Sequence, residues 1–378
     1  MNDDATMKPI YLDYNASTPI APEVVAEMEV YLRGHYGNPS SVHWASRGAH
    51  EAVETARMRV AKLLGCHADE IVFTSGGSEA NNLALKGPFF RRGDRPSHII
   101  TSRIEHPATL EPCRFLESLG AKVTYLPVDG AGLVDPDDVR RAITKDTFLI
   151  SIMHANNEVG TLQPIAEIAK IAQGNGILVH TDAAQSAGKI VADVWELGVD
   201  LLSIAGHKLY APKGIGALYV RRGIAIEPLV HGAGHENGRR AGTESAMLTA
   251  ALGKACAIAR SWVGMPDVQR LRDRFWDRLR AAFGNRIVLN GHPERRLPNT
   301  LNVSFVGRFG AEILAKLPEI AASTGSACHS GRITLSPVLD AMGIAPEIGM
   351  GAVRFSLGRG TTEEEIERAV DRLQRALA

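Results

Sequence analysis

The sequence predicts an α/β fold, with a large domain on a mostly parallel seven-stranded sheet and a smaller α+β domain beside it. Three observations carry this. Seven short apolar runs alternate with amphipathic helical stretches between about Asp69 and Val220, a pattern that calls for parallel strands covered on both faces. Near Ser261 the pattern changes to an Arg-rich helical segment followed by scattered β-like pieces. The 378 residues, 45% hydrophobic and 22% charged, are also enough to build two cores of ordinary globular composition.

The seven runs are Ile71–Thr74, His98–Thr101, Lys122–Leu126, Phe148–Met153, Ile177–His180, Leu201–Ala205 and Gly216–Val220. Ligands of open α/β sheets sit beyond the carboxyl ends of the strands. Polar residues cluster just after these runs, at Ser75–Ser78, Glu105–His106, His154–Glu158, Thr181–Gln185 and Gly206–Lys208. Ala246–Val263 is Ala-rich and broken by Lys254 and Arg260, which makes it a buried helix and not a membrane span. Beyond it come a helix at Asp267–Phe283, strands at Ile287–Leu289 and Thr300–Phe305, and a helix at Ala311–Leu317. A small-residue loop, Ser323–Gly331, precedes a last strand at Gly351–Ser356. Thr362 and Glu365 have capping-box spacing for a terminal helix. The expected division is residues 15–258 for the large domain, with 1–14 and 259–378 forming the small one.

Several function classes are disfavoured. Lys+Arg and Asp+Glu both number 42, so no net charge marks the chain for nucleic acid or an anionic membrane. Met1–Met7 lacks the apolar stretch of a signal peptide. The four cysteines are scattered without a C-x-x-C pair, which argues against a disulfide framework or structural zinc and for a cytoplasmic location. No metal site is expected.

Three segments carry chemistry. Ser75-Gly76-Gly77-Ser78-Glu79 lies between a strand and a helix start, where glycines and free N–H groups suit a phosphate, although an ordinary βα turn looks the same. It is neither a Walker loop nor a G-x-G-x-x-G fingerprint. Asp182, ending an apolar strand, is either a helix N-cap or the partner of a buried cation such as a protonated pyridine nitrogen. Lys208 follows Ser203-Ile204-Ala205-Gly206-His207, where small neighbours can desolvate it and lower its pKa toward nucleophilicity. A lone lysine is usually a solvated surface residue. A phosphate cradle, a strand-end acid and a strand-end lysine, in that order, point together to pyridoxal phosphate held on Lys208 as a Schiff base.

With these residues in view, the chain resembles the cysteine desulfurases and selenocysteine lyases of the class V aminotransferase group, of aspartate-aminotransferase-like fold (fold type I). The matches run from Tyr11-Leu12-Asp13-Tyr14-Asn15-Ala16 to Val353-Arg354-Phe355-Ser356-Leu357-Gly358-Arg359. They include Gly37-Asn38-Pro39-Ser40-Ser41, Glu105-His106, Ala155-Asn156-Asn157-Glu158, His180-Thr181-Asp182-Ala183-Ala184-Gln185 and Gly325-Ser326-Ala327-Cys328. The resemblance implies that Asp182 pairs with the pyridine nitrogen and Gln185 bonds the phenolic oxygen. His106 would stack on the ring and move protons. Gly77, Ser78 and His207 would hold the phosphate, with Thr243 from the other subunit of a homodimer. Asn157 and Arg354 would bind substrate, Arg354 clamping its α-carboxylate, and Asn38 would line the same pocket. Many relatives have serine three residues before the lysine, where this chain has Ala205. That departure, with His329 after Cys328, leans toward the lyases.

Cys113, Cys256 and Cys66 read as small buried hydrophobes, whereas Cys328 lies in a polar, Gly-containing loop. The function implied is removal of sulfur from L-cysteine, giving L-alanine and a Cys328 persulfide for an acceptor such as an iron–sulfur scaffold or a tRNA-thiolation protein. A selenocysteine lyase acting on L-selenocysteine is the alternative, and a plain aminotransferase needs no Cys328.

Overall fold

The computed structural model describes residues 8–324, 328–329 and 332–378, with side chains at 8–324 and 334–378. Its strands are β1 (Ile10–Tyr11), β2 (Ile71–Thr74), β3 (His98–Ser102), β4 (Lys122–Leu126), β5 (Thr147–Ser151), β6 (Leu178–Asp182), β7 (Leu201–Ala205) and β8 (Gly216–Val220), followed by β9 (Ile287–Asn290), β10 (Thr300–Phe305), β11 (Ile320–Ala321), β12 (Cys328–His329), β13 (Arg332–Ile333) and β14 (Ala352–Ser356). The first four helices are α1 (Pro22–Arg33), α2 (Arg47–Leu64), α3 (Gly77–Arg92) and α4 (Pro107–Ser118).

The seven expected runs form one sheet in the order β2-β8-β7-β6-β5-β3-β4. Six strands are parallel, and β8 runs antiparallel to both its neighbours. Strands β2, β3, β7 and β8 are buried along their whole length, as a sheet covered on both faces requires. One core cluster includes Val60, Ile71, Phe73, Ile150, Ile204 and Ala251, and another Val72, Leu83, Ile99, Leu116 and Leu218. The run expected at Phe148–Met153 is a strand only to Ser151; beyond it Ile152 N and His154 N still donate to the His180 and Asp182 carbonyls of β6, while the Met153 amide turns to the Glu105 carboxyl group at 3.0 Å. The next run starts later and continues to Asp182, which is therefore the last residue of its strand.

A second, antiparallel sheet has the order β14-β10-β9. Its core joins Leu301, Val303 and Phe355 to Phe275 and Leu279 of helix Pro266–Phe283, and to Ile366 and Leu373 of helix Glu363–Leu377. Ile10 and Leu12 belong to this core, through the parallel pairing of β1 with β11. The expected capping box is present, with Thr362 accepting from Glu365 N and Glu365 from Thr362 N. The helix expected at Ala311–Leu317 spans Gly310–Ala315. No helix among the described residues is long and apolar enough to cross a membrane.

Candidate active site

The parallel strands of the large sheet end at a cavity of about 640 Å³, lined by Asn15, Ser78, His106, Asp182, Lys208 and Arg354 among others. Most of these lining residues come from strand ends, while Arg354 comes from β14 of the small sheet.

At one end stands the first turn of α3. Helix geometry leaves the amides of Gly77, Ser78 and Glu79 without carbonyl partners inside the helix, and Gly77 and Ser78 line the cavity. The turn is tight, with Gly76 at φ 154°. A Cβ on Gly216 would stand 2.7 Å from the Gly76 carbonyl carbon, so the approach of β8 requires glycine there. A Cβ on Gly77 would lie 3.1 Å from that of Ala205, so Ala205 sits in the cradle and supplies a methyl group where a serine would add a donor. Ser203 offers no substitute, since its hydroxyl is 3.0 Å from His180 Nε2. His207 lines the same end, and its buried Nδ1 has no partner among the described residues. Burial lowers the His207 pKa to about 4, with Lys208 and Lys213 adding to the effect.

Lys208 follows β7 in a single 3-10 turn, Gly206–Lys208. Its Nζ donates to the carbonyl oxygens of Asn15 and Ala16. Burial brings its pKa down to about 8, with Arg354 pushing the same way and Asp13 and Asp182 opposing. A free amine is thus within reach near neutrality. Asp182 is 8% exposed, and its carboxylate accepts from Asn81 Nδ2 at 2.6 Å and Ala184 N at 2.9 Å. Both donors are neutral, and no cation among the described residues forms an ion pair with it.

His106 caps α4, its Nδ1 accepting from Ala108 N at 3.1 Å. That bond places the proton of the neutral ring on Nε2. Burial lowers its pKa, Asp182 opposing and Lys208 reinforcing. Gln185 donates from Nε2 to the Asn15 carbonyl at 2.9 Å. Arg354 donates from Nη2 to Asp13 Oδ1 at 2.8 Å and from Nη1 to the Asn157 carbonyl at 3.0 Å. Its buried Nε has no partner among the described residues.

The structure therefore brings Lys208, Gly77, Ser78, His106, Asn157, Asp182, Gln185, His207 and Arg354 to one cavity. Asn38 stands outside it. Its side chain is exposed, and its Oδ1 turns back to accept from Ser40 N. Thr243 is exposed and also outside this chain's cavity. The Cys328 side chain lies outside the described residues. Burial pushes the thiols of Cys66, Cys113 and Cys256 up to about 12, and none of the three lines the cavity. Sequence reasoning assigned no role to Asn15, Asn81, Asp13, Lys189 or Lys213. Asn81 had one legible signal, since it lies one helical turn beyond Gly77 on the face turned to the sheet.

A mostly parallel sheet with a desolvated lysine, a buried acid and a helix-start cradle at its strand ends defines a class of enzyme. The chain belongs to the class-V aminotransferase family, whose model matches residues 10–369. Among its relatives, it is 48% identical over 372 residues to a cysteine desulfurase IscS of Dictyoglomus turgidum, covering 97% of this chain and 94% of the relative. It is 46% identical over 368 residues to a cysteine desulfurase IscS of Methanosarcina thermophila, covering 96% and 91%. Among solved structures it matches a NifS-like protein at TM-score 0.91 and 38% identity, over 98% of this chain and 99% of that one. It also matches SspA in complex with cysteine at TM-score 0.83 and 39% identity, over 92% and 98%.

Proposed function

We propose that this protein is a pyridoxal-phosphate-dependent cysteine desulfurase, converting L-cysteine to L-alanine and passing the sulfur through Cys328 to an acceptor of an iron–sulfur or tRNA-thiolation pathway. The observation that supports it most is the meeting of Lys208, Asp182, His106 and the α3 start on one cavity that Arg354 reaches from the small sheet.

The residues present fit the cofactor. Asp182 is a buried carboxylate with only neutral donors, which leaves room for a cationic pyridine nitrogen. The orphaned His207 Nδ1 and the open amides of α3 suit a phosphate. Pyridoxal phosphate bound there would supply an electron sink for charge developing on the substrate α-carbon. Lys208 would hold it covalently, and Gln185 would face its phenolic oxygen.

The chain's own groups then divide the work. Arg354, already fixed by Asp13 and the Asn157 carbonyl, orients the substrate carboxylate with its remaining N–H groups. Lys208, with its lowered pKa, takes and returns a proton at the α-carbon, and His106 is placed to move a second. The Cys328 thiolate takes the sulfur. In net terms cysteine and the enzyme thiol become alanine and an enzyme persulfide, with a C–S bond broken and an S–S bond formed. Thr243, exposed in this chain, serves the neighbouring site of a homodimer in this reading, and residues 15–258 form the cofactor domain.

The test is alanine and sulfide production from L-cysteine by wild type and Cys328→Ala, with visible spectra of both. Wild type makes alanine, while the variant loses that turnover and keeps the cofactor band. Unchanged turnover in the variant overturns the persulfide route. Amino transfer to a keto acid without sulfide overturns the desulfurase reading. A parallel assay with L-selenocysteine reports on the lyase alternative.

A further inference from the structure

Directly behind the cavity lies a second lysine that the reaction does not use. Lys189 is 5% exposed and forms no ion pair among the described residues. Its Nζ donates to Gln185 Oε1 at 2.9 Å and to Asn15 Oδ1 at 3.2 Å. The charged groups that act on it are Lys208 and Arg354, both cations. With burial they hold its pKa well below the usual lysine range, so the desolvation cost of this side chain is met without a carboxylate. A methionine of similar length would fill the same volume without that cost. What it would lack is the pair of N–H donors.

Those donors fall on amide oxygens. A turned Gln185 carboxamide would set its oxygen against the Asn15 carbonyl and lose the Lys189 N–H that the oxygen now accepts. Gln185 accordingly keeps Nε2 on the side of the Asn15 carbonyl, the same carbonyl that receives the Lys208 amine. Asn15 is fixed likewise, since its Oδ1 accepts from both Lys189 and Asn299, and its Nδ2 donates to Thr300 Oγ1 at 2.8 Å. We propose that Lys189 is a positioning residue, holding the Gln185 carboxamide so that its NH2 group is presented to the phenolic oxygen of the cofactor. The inference rests on the cofactor reading above and adds to it the residue that sets the donor's orientation.

A donor at the phenolic oxygen stabilises the oxyanion, so the cofactor nitrogen linked to Lys208 loses its proton at lower pH. The test uses holoenzyme of wild type, Lys189→Met, Gln185→Ala and the double variant. Each is titrated by visible absorbance against pH, and each apoprotein is melted and retitrated with pyridoxal phosphate. Lys189→Met is expected to fold normally, to raise the absorbance midpoint by about one pH unit and to weaken cofactor binding about tenfold, the scale of one hydrogen bond to a charged group. Gln185→Ala should do the same, and the double variant should add nothing further. Lys189→Gln, which returns a neutral N–H donor, should restore the midpoint toward wild type whether or not the methionine variant folds. An unchanged midpoint in a folded Lys189→Met, additive shifts in the double variant, or no rescue by glutamine overturns the proposal. A wild-type protein that shows no visible band with pyridoxal phosphate overturns the cofactor reading instead, so the two failures are distinguishable.

Discussion

The two walls of the cavity are built differently. On the large-sheet wall, each expected cofactor group stands at a strand end or helix start and is held without an ion pair among the described residues. Asp182 is held by Asn81 and Ala184, His106 by Ala108, and Gln185 by Asn15 and Lys189. On the small-sheet wall, Arg354 is held by an ion pair to Asp13, and the backbone of Arg354 pairs with Ser323, just ahead of the Cys328 segment. One wall thus fixes its polar groups through hydrogen bonds without ion pairs. The other carries the charge proposed to meet the substrate carboxylate, just before the segment that holds the proposed sulfur acceptor, Cys328. Cofactor identity and reaction type are consequently separable, and substitutions on the two walls should leave different signatures.

The largest effect is expected on the large-sheet wall. Asp182→Asn keeps the shape but only one of the two oxygens that accept from Asn81 and Ala184, and it removes the charge; it should lower alanine formation from cysteine by ~10²-fold or more, the scale of one lost electrostatic stabiliser. A rate within a few-fold of wild type would break the assignment of Asp182 as the cationic ring's partner. On the opposite wall, Arg354→Lys should raise KM for cysteine by roughly ten- to a hundredfold while the visible spectrum stays as it is, because lysine cannot reproduce the planar fork. A spectral change comparable to that of Asp182→Asn would show that the walls are not separable.

Smaller effects sharpen the picture. Ala205→Ser adds a hydroxyl beside Gly77 and should tighten cofactor binding by about fivefold, consistent with one modest hydrogen bond, as measured by titrating apoprotein. The smallest concerns Glu105, which lies beneath both His106 and Met153. Burial raises its carboxyl pKa to about 8, Asp182 adding to this and the bonds from Ser102 and Met153 opposing it. Between the ordinary carboxyl range and about 8 the native state binds a proton that the unfolded chain has lost, so stability falls as pH rises through that window. Glu105→Gln cannot titrate, and its melting temperature should vary less than wild type's between pH 5 and 8.

Much of the large-sheet wall was legible in the sequence because its residues follow apolar runs directly. Position at or beyond a strand's carboxyl end is a local property, and Asp182, Lys208, His106 and Ser78 all have it. The supports were not legible, because their partners are distant. Asn81 meets Asp182 across 101 residues, and Arg354 meets Asp13 across 341. Lys189 lies only four residues from Gln185, but a lone lysine after a glycine reads as a solvated residue and gives no hint of burial. Strand ends were no more legible. The β5 strand stops at Ser151, and the Met153 amide beyond it turns to Glu105, an acid outside the run.

Asn15 and Ala16, whose carbonyls receive the Lys208 amine, are pinned by the far end of the chain. Ser356 N donates to the Leu12 carbonyl at 2.8 Å, Tyr14 N donates to the Ser356 carbonyl, and Asn15 N donates to the Ser356 hydroxyl across 341 residues. During synthesis the large sheet can close soon after Val220 leaves the ribosome, but the surroundings of Lys208 cannot assume their final form until β14 has emerged. Maturation of the site is therefore timed by the last strand made, and a nascent chain stalled before Ser356 should carry a folded sheet that cannot yet retain its cofactor.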